Sequence, residues 1–141
     1  MLKLENQLCF PLYACSKEII RLYRPYLEKI NLTYTQYIAM MVLWEHKKIN
    51  IKSLGKYLYL DSGTITPVIK KLEVLGYVTK NRDKKDERNV FVEITPLGQD
   101  LKSQAENIPC KLRECIPLAE DEIEQLYKLL YKILDFSFEN H

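Results

Sequence analysis

Apolar residues recur at helical spacing along most of this chain, and the repeat gives way to alternation only once. From Leu4 to Ile30, the residues Leu8, Leu12, Ile19, Leu22, Tyr26 and Ile30 fall on one helical face. Pro11 suits a first helical turn, where its missing N–H costs nothing, whereas Pro25 is expected to bend or break the helix. Thr33 is placed to cap a second helix, Tyr34 to Glu45, which is apolar almost all round and therefore reads as a central, buried element. A short helix follows from Ile51 to Tyr59 and is ended by "LDSG". The next runs from about Gly63 to Leu75, with Asp61 or Ser62 as N-cap and Gly76 as the C-terminal glycine. Ile65, Val68, Ile69 and Leu72 form its inner face, and Pro67 falls in or just after the first turn.

The period changes at "YVTKNRDKKDERNVFVEIT". Its β-rich ends, Tyr77 to Lys80 and Asn89 to Thr95, flank a charged middle, which predicts a hairpin with a basic tip. After "TPLG" two helices are expected, Pro96 to Cys115 and Glu120 to Phe138. The second carries Ile123, Leu126, Tyr127, Leu130, Ile133 and Leu134 on one face. The fold class is mainly α with a small β-hairpin wing, in one domain spanning 1–141. A winged helix–turn–helix occupies about 34–95. Helices over about 4–30 and 97–138 have apolar faces that a small DNA-binding body cannot cover, so they are expected to pair with those of a second subunit. The alternative on pattern alone is a monomeric bundle with an incidental hairpin.

The net charge of +2 conceals an asymmetry. Ile51 to Val90 holds nine Lys/Arg against five Asp/Glu, which suggests a local basic surface on a neutral body. If the helix–turn–helix reading holds, Ser62, Gly63, Thr64, Thr66 and Pro67 are the early residues of the helix that enters the major groove. Lys52, Lys56, Lys70 and Lys71 would meet phosphates, and Lys80, Arg82, Lys84, Lys85 and Arg88 on the wing could straddle a minor groove. Asp86 and Arg88, two apart on one strand face, are expected to pair and brace the wing. Any one of these lysines taken alone is more simply a solvated surface residue; the reading rests on their joint placement.

The four cysteines, Cys9, Cys15, Cys110 and Cys115, lack CxxC spacing, and His46 and His141 are the only histidines, so neither a zinc site nor a disulfide framework is expected. No leader, membrane span or cofactor-binding loop is read from the sequence, and a cytoplasmic location is the default.

Four stretches carry a resemblance across nearly the whole chain: "LENQLCFPLYACSKEI", "YRPYLEKINLTYTQYIAMMVLWE", "LYLDSGTITPVIKKLEVLGYVTKNR" and "KDERNVFVEITPLG". They resemble the MarR-type transcriptional repressors, where "DSGTITP" and "DER" are general features. "NQLCF" followed by "LTYTQY" is narrower and resembles the organic-hydroperoxide-sensing, OhrR-like branch; the staphylococcal thiol-based regulators look similar too. The resemblance implies a homodimer that binds double-stranded DNA at a pseudo-palindromic operator, with an organic hydroperoxide as inducer. It makes Cys9 the redox-sensing thiol and puts Tyr13, Tyr23 and Tyr34 at positions whose hydroxyls hydrogen-bond that sulfur, partly across the dimer. It also implies a resolving thiol near Cys115, with Cys110 next, or trapping of the oxidised sulfur by a low-molecular-weight thiol. Pro11 departs from the pattern, which has an aliphatic residue there. Cys15 reads as packing.

The chemistry agrees with that assignment. A thiolate, not a thiol, attacks a peroxide, and burial alone would disfavour it. Pro11 suggests that a helix starts close to Cys9, and tyrosine hydroxyls can donate to sulfur. Apolar walls drawn from Phe10, Leu12 and Trp44 would favour a greasy hydroperoxide. An inert core cysteine is the plain alternative. Two other functional classes compete: a MarR-type repressor released by a small aromatic ligand without thiol chemistry, and a thiol peroxidase. The last lacks a CxxC, a paired general base and a cofactor loop, so the protein is not read as an enzyme.

Overall fold

The computed structural model describes residues 2–139, with side chains as far as Phe136. It divides into two compact units, Met1–Pro109 and Cys110–His141. The first holds α1 (Cys9–Glu28), α2 (Tyr34–His46), β1 (Lys48–Asn50), α3 (Ile51–Leu58), α4 (Ser62–Val74), β2 (Val78–Arg82), β3 (Val90–Ile94) and α5 (Pro96–Ala105). The division falls within α6 (Ile108–Cys115), and α7 (Glu120–Glu139) belongs to the second unit. No described helix is long and apolar enough to cross a membrane.

Local chemistry sets most helix ends in the first unit. Thr33 and Gln36 form a reciprocal capping box on α2, and the Asp61 carboxylate accepts from Thr64 N at 2.9 Å to cap α4. At the far end of α4, Gly76 has φ +84°. There Tyr77 N donates to Leu72 O and Gly76 N to Glu73 O, the paired arrangement that favours a glycine. Asn31 closes α1 in the same way at φ 55°, with Leu32 N bonded to Leu27 O.

Four expectations need correction. α1 begins at Cys9 rather than Leu4, after a separate 3₁₀ turn at Leu4–Asn6. Pro25 does not break α1, which continues to Glu28. The proline sits one turn from the helix end, where losing one backbone donor ends nothing that was going to continue far. The helix expected from Pro96 to Cys115 is two, because Pro109 has no N–H for the Ala105 carbonyl and stands instead in the first turn of a new helix, α6. The wing is part of a three-stranded antiparallel sheet, order β1-β3-β2, in which Ile49 pairs with Val92.

α2 is the centre of the first unit, as its apolar circumference predicts. Ala39, Met40 and Leu43 are fully buried, and α2 packs against α1, α3, α4, α5 and the sheet. Leu54, Ile65, Ile69, Leu72, Val78 and Val92 complete the core beneath the helix–turn–helix and wing. "TPLG" ties this body together. Thr95 caps α5 through Gly98 N at 3.0 Å and donates to Gly76 O at 2.6 Å, while the Trp44 indole donates to Gly98 O at 2.9 Å. A Cβ on Gly98 would collide with the Tyr77 carbonyl and stand 2.9 Å from Ile94 Cγ1. Gly98→Ala is therefore expected to cost about 2 kcal/mol in a denaturant titration. Gly63→Ala, whose Cβ would meet only Asp61 Oδ1 at 3.5 Å, is expected to cost nothing.

In the second unit, Arg113 laces the connection from α6 to α7. Its guanidinium donates to Ile116 O and Leu118 O and pairs with Glu120 at 3.0 Å. α7 then presents Leu126, Leu129, Leu130, Ile133 and Leu134 as an exposed apolar face.

Candidate DNA-binding groove and sulfur site

The structure gathers part of the expected DNA-contacting set into one place. Lys52, Ser62, Thr66, Lys80, Arg82 and Arg88 line a groove of about 510 Å³ between α3, the start of α4 and the wing. Gly63, Thr64, Lys70, Lys84 and Lys85 are exposed without lining it. Lys71 lines a different cleft, with Glu28, Gln36 and Leu75. The groove also contains Asn50 and Glu73, which sequence reasoning missed. Glu73 accepts Lys80 N at 3.3 Å, tying α4 to the outer strand of the wing.

The wing tip is held by carboxylates. Asp86 accepts both the backbone N (3.1 Å) and Nε (3.3 Å) of Arg88. The expected pair is present, but in the turn between β2 and β3 rather than on a strand face, because the Asp86 side chain caps the local backbone. Asp83 does the same for Lys85 N at 3.0 Å. Arg82 Nη1 donates across the tip to Glu87 O at 3.0 Å, so this side chain has a structural partner as well as a place in the groove.

The second site forms around α1. Cys9 is its first residue and is exposed, as are Cys15, Cys110 and Cys115. Pro11 stands in the first turn, where its ring displaces no helical bond. Tyr13 lies one turn along from Cys9 and is exposed, with Lys17 Nζ 5.1 Å above its ring. Among the described residues no tyrosine hydrogen-bonds the Cys9 sulfur within the chain. Tyr23 and Tyr34 instead meet each other, with ring centroids 4.9 Å apart. A third ring, Tyr37, lies 5.7 Å from Tyr23 and 6.3 Å from Tyr34. Tyr37 belongs to the apolar circumference of α2, and its spacing of three from Tyr34 is the signal the sequence offers. Cys115 Sγ donates to Lys111 O at 3.4 Å, a bond within its own helix. Among the described residues no cluster of His, Cys, Asp and Glu could hold a metal ion, and His141 lies outside them.

Burial keeps the three phenols protonated. It raises Tyr23, with a smaller contribution from Tyr34, and it raises Tyr34. Tyr37 is pushed up to about 12, first by burial and then by Tyr23 and Tyr34. A folded-state value above the unfolded 10.0 means that the folded chain holds these protons longer. The associated stability is complete below pH 10 and is lost as pH rises through about 12. Alkaline titration followed by phenolate absorbance is expected to show three late tyrosines, ionising together with unfolding.

A recognition helix, its supporting helix and a basic β-wing opening onto one groove define a winged helix–turn–helix, DNA-binding transcription regulator. Residues 21–107 match the family model described as transcriptional regulator SarA/Rot. The chain is 44% identical over 134 residues to the organic hydroperoxide resistance transcriptional regulator of Bacillus subtilis, covering 95% of this chain and 91% of that one. It belongs to the MarR-type regulators, in the OhrR-like group. Among solved structures it is similar to reduced AbfR bound to DNA, with TM-score 0.80 and 31% identity over 96% of this chain and 94% of that one. It is also similar to disulfide-formed AbfR, with TM-score 0.65 and 32% identity over 96% and 92%.

Proposed function

We propose that this protein is a homodimeric repressor that binds a pseudo-palindromic operator and releases it when an organic hydroperoxide oxidises Cys9. The observation that carries the reading is Cys9 itself. It opens α1 within "NQLCF", next to exposed Phe10, Leu12 and Tyr13, in a chain 44% identical to an organic hydroperoxide resistance regulator. Backbone N–H groups at a helix start favour negative charge nearby, and the exposed apolar neighbours suit an alkyl peroxide. The apolar faces of α1 (Leu12, Ile19, Leu22) and α7 are surfaces that a second copy would cover. The groove between α4 and the wing, with the cationic side chains of Lys52, Lys80, Arg82 and Arg88, would take the operator.

The chemistry balances as follows. The Cys9 thiolate attacks one peroxide oxygen, forming an S–O bond as the O–O bond breaks. The alkoxide leaves and is protonated to the alcohol. Sulfur is oxidised by two electrons to a sulfenic acid and the peroxide is reduced. A thiol then displaces water from the sulfenic acid to give a disulfide. That thiol is Cys115 or Cys110 of the dimer, or a small external thiol. Cys115 is engaged as an S–H donor to Lys111 O, so it must leave that bond before it can attack.

The test is operator release by one equivalent of cumene hydroperoxide, with non-reducing mass spectrometry of the product. Release with a modified Cys9 is expected. Stoichiometric consumption separates a sensor from a peroxidase, and release without modification of Cys9 would sink the thiol reading.

A further inference from the structure

Tyr37 is the one ring of the phenol cluster that is essentially closed to solvent, at 2% exposure. It reaches three aromatic neighbours from two elements: Tyr23 on α1, and Tyr34 and Trp44 on α2. Trp44 meets it edge-on at 6.4 Å and is itself fixed by the bond from its indole to Gly98 O at 2.9 Å. Trp44 is thus an anchored neighbour of the Tyr37 ring. Tyr23 and Tyr34, by contrast, are only half-buried, and neither hydroxyl is hydrogen-bonded among the described residues. Two such side chains have rotamer freedom unless a ring behind them removes it. Edge and tilted contacts of this kind set relative ring orientation as well as distance.

We propose that Tyr37 is a positioning residue for the peroxide reaction: its ring, backed by Trp44, holds Tyr23 and Tyr34 in the paired arrangement from which their hydroxyls meet the reacting sulfur. The inference rests on the reading of Cys9 as the sensing thiol. It assigns the work to the ring and not to the Tyr37 hydroxyl. Catalytic groups placed loosely lose rate even when all are present, and small misplacements cost up to about a hundredfold.

The experiment measures the rate of Cys9 sulfenic acid formation with cumene hydroperoxide, trapped by a carbon-acid reagent and read by mass, together with operator affinity of the reduced protein. Tyr37→Phe keeps the ring and is expected to react within about twofold of wild type. Tyr37→Leu is expected to react about tenfold more slowly while binding operator normally. Added to Tyr23→Phe/Tyr34→Phe, Tyr37→Leu is expected to cause no further loss, because the groups it positions have lost their hydroxyls. Should Tyr37→Leu fail to fold, Tyr37→Met at closer volume takes its place in each arm. A wild-type rate in the aliphatic variant, an equal loss in Tyr37→Phe, or a full additional loss in the triple variant would overturn the inference. Absence of any Cys9 oxidation in the wild type is a different outcome and overturns the sensor reading beneath it.

Discussion

Cys9→Ser is expected to bind operator as tightly as wild type and to keep it bound in cumene hydroperoxide. Serine is close to isosteric, and Cys9 is exposed at the start of α1, so the exchange leaves no core cavity. What it removes is the nucleophile, since an alcohol at neutral pH does not attack a peroxide oxygen as a thiolate does. The response should fall to background rather than shift in midpoint. Cys15→Ser is expected to respond as wild type. Cys110→Ser and Cys115→Ser should leave the first oxidation intact and change only its second product, from a protein disulfide to a mixed disulfide or an over-oxidised sulfur. Operator assays with and without peroxide, paired with mass spectra of the same samples, check each arm. Equal release from Cys9→Ser and wild type would leave a repressor that answers to a different signal.

Neutralising Arg82 and Lys84 together is expected to weaken operator binding and flatten its dependence on salt. Each lost phosphate contact removes about 0.9 from the slope of log K against log salt, so the pair should change it by about 1.8. The gap between wild type and variant then closes by about tenfold between 50 and 200 mM salt. Arg82 needs a control, because Nη1 also braces the wing on Glu87 O. Arg82→Lys keeps the charge and loses the brace. It should lower affinity with little change in slope, whereas Lys84→Gln, which touches no brace, should lower both. Parallel salt lines for the double variant and wild type would remove the wing from the interface.

Much of the candidate site was legible because its signals are local. "NQLCF" with Pro11 indicates a helix starting near Cys9, and α1 does start there. The Asp86–Arg88 pair was readable from a spacing of two, although not its place in a turn. The division of the lysines was not legible. Lys70 and Lys71 adjoin in sequence, yet Lys71 faces the cleft beside Glu28 and Gln36 and neither lines the groove, because helical twist and the packing of α4 on α2 decide which way each points. Tyr37 is buried, as its place on the all-apolar α2 implies. Its meeting with Tyr23 depends on how α1 crosses α2, a relation no spacing within either helix encodes.

The sequence by itself determined the start of α2, both ends of α4 and which element is central. Thr33, Asp61 and Gly76 act on backbone groups a few residues away, and the apolar circumference of α2 leaves it nowhere but the middle. Only the tertiary structure decided what depends on partners far along the chain. β1 is three residues whose strand character comes from pairing with β3 some forty residues later. Gly98 is required by the Tyr77 carbonyl packed against it and holds Trp44 from a distance of 54 residues. Hydrogen bonds within a turn are encoded by the residues that make them. Contacts between elements are set by the packing of whole surfaces, and so appear only when the chain is folded.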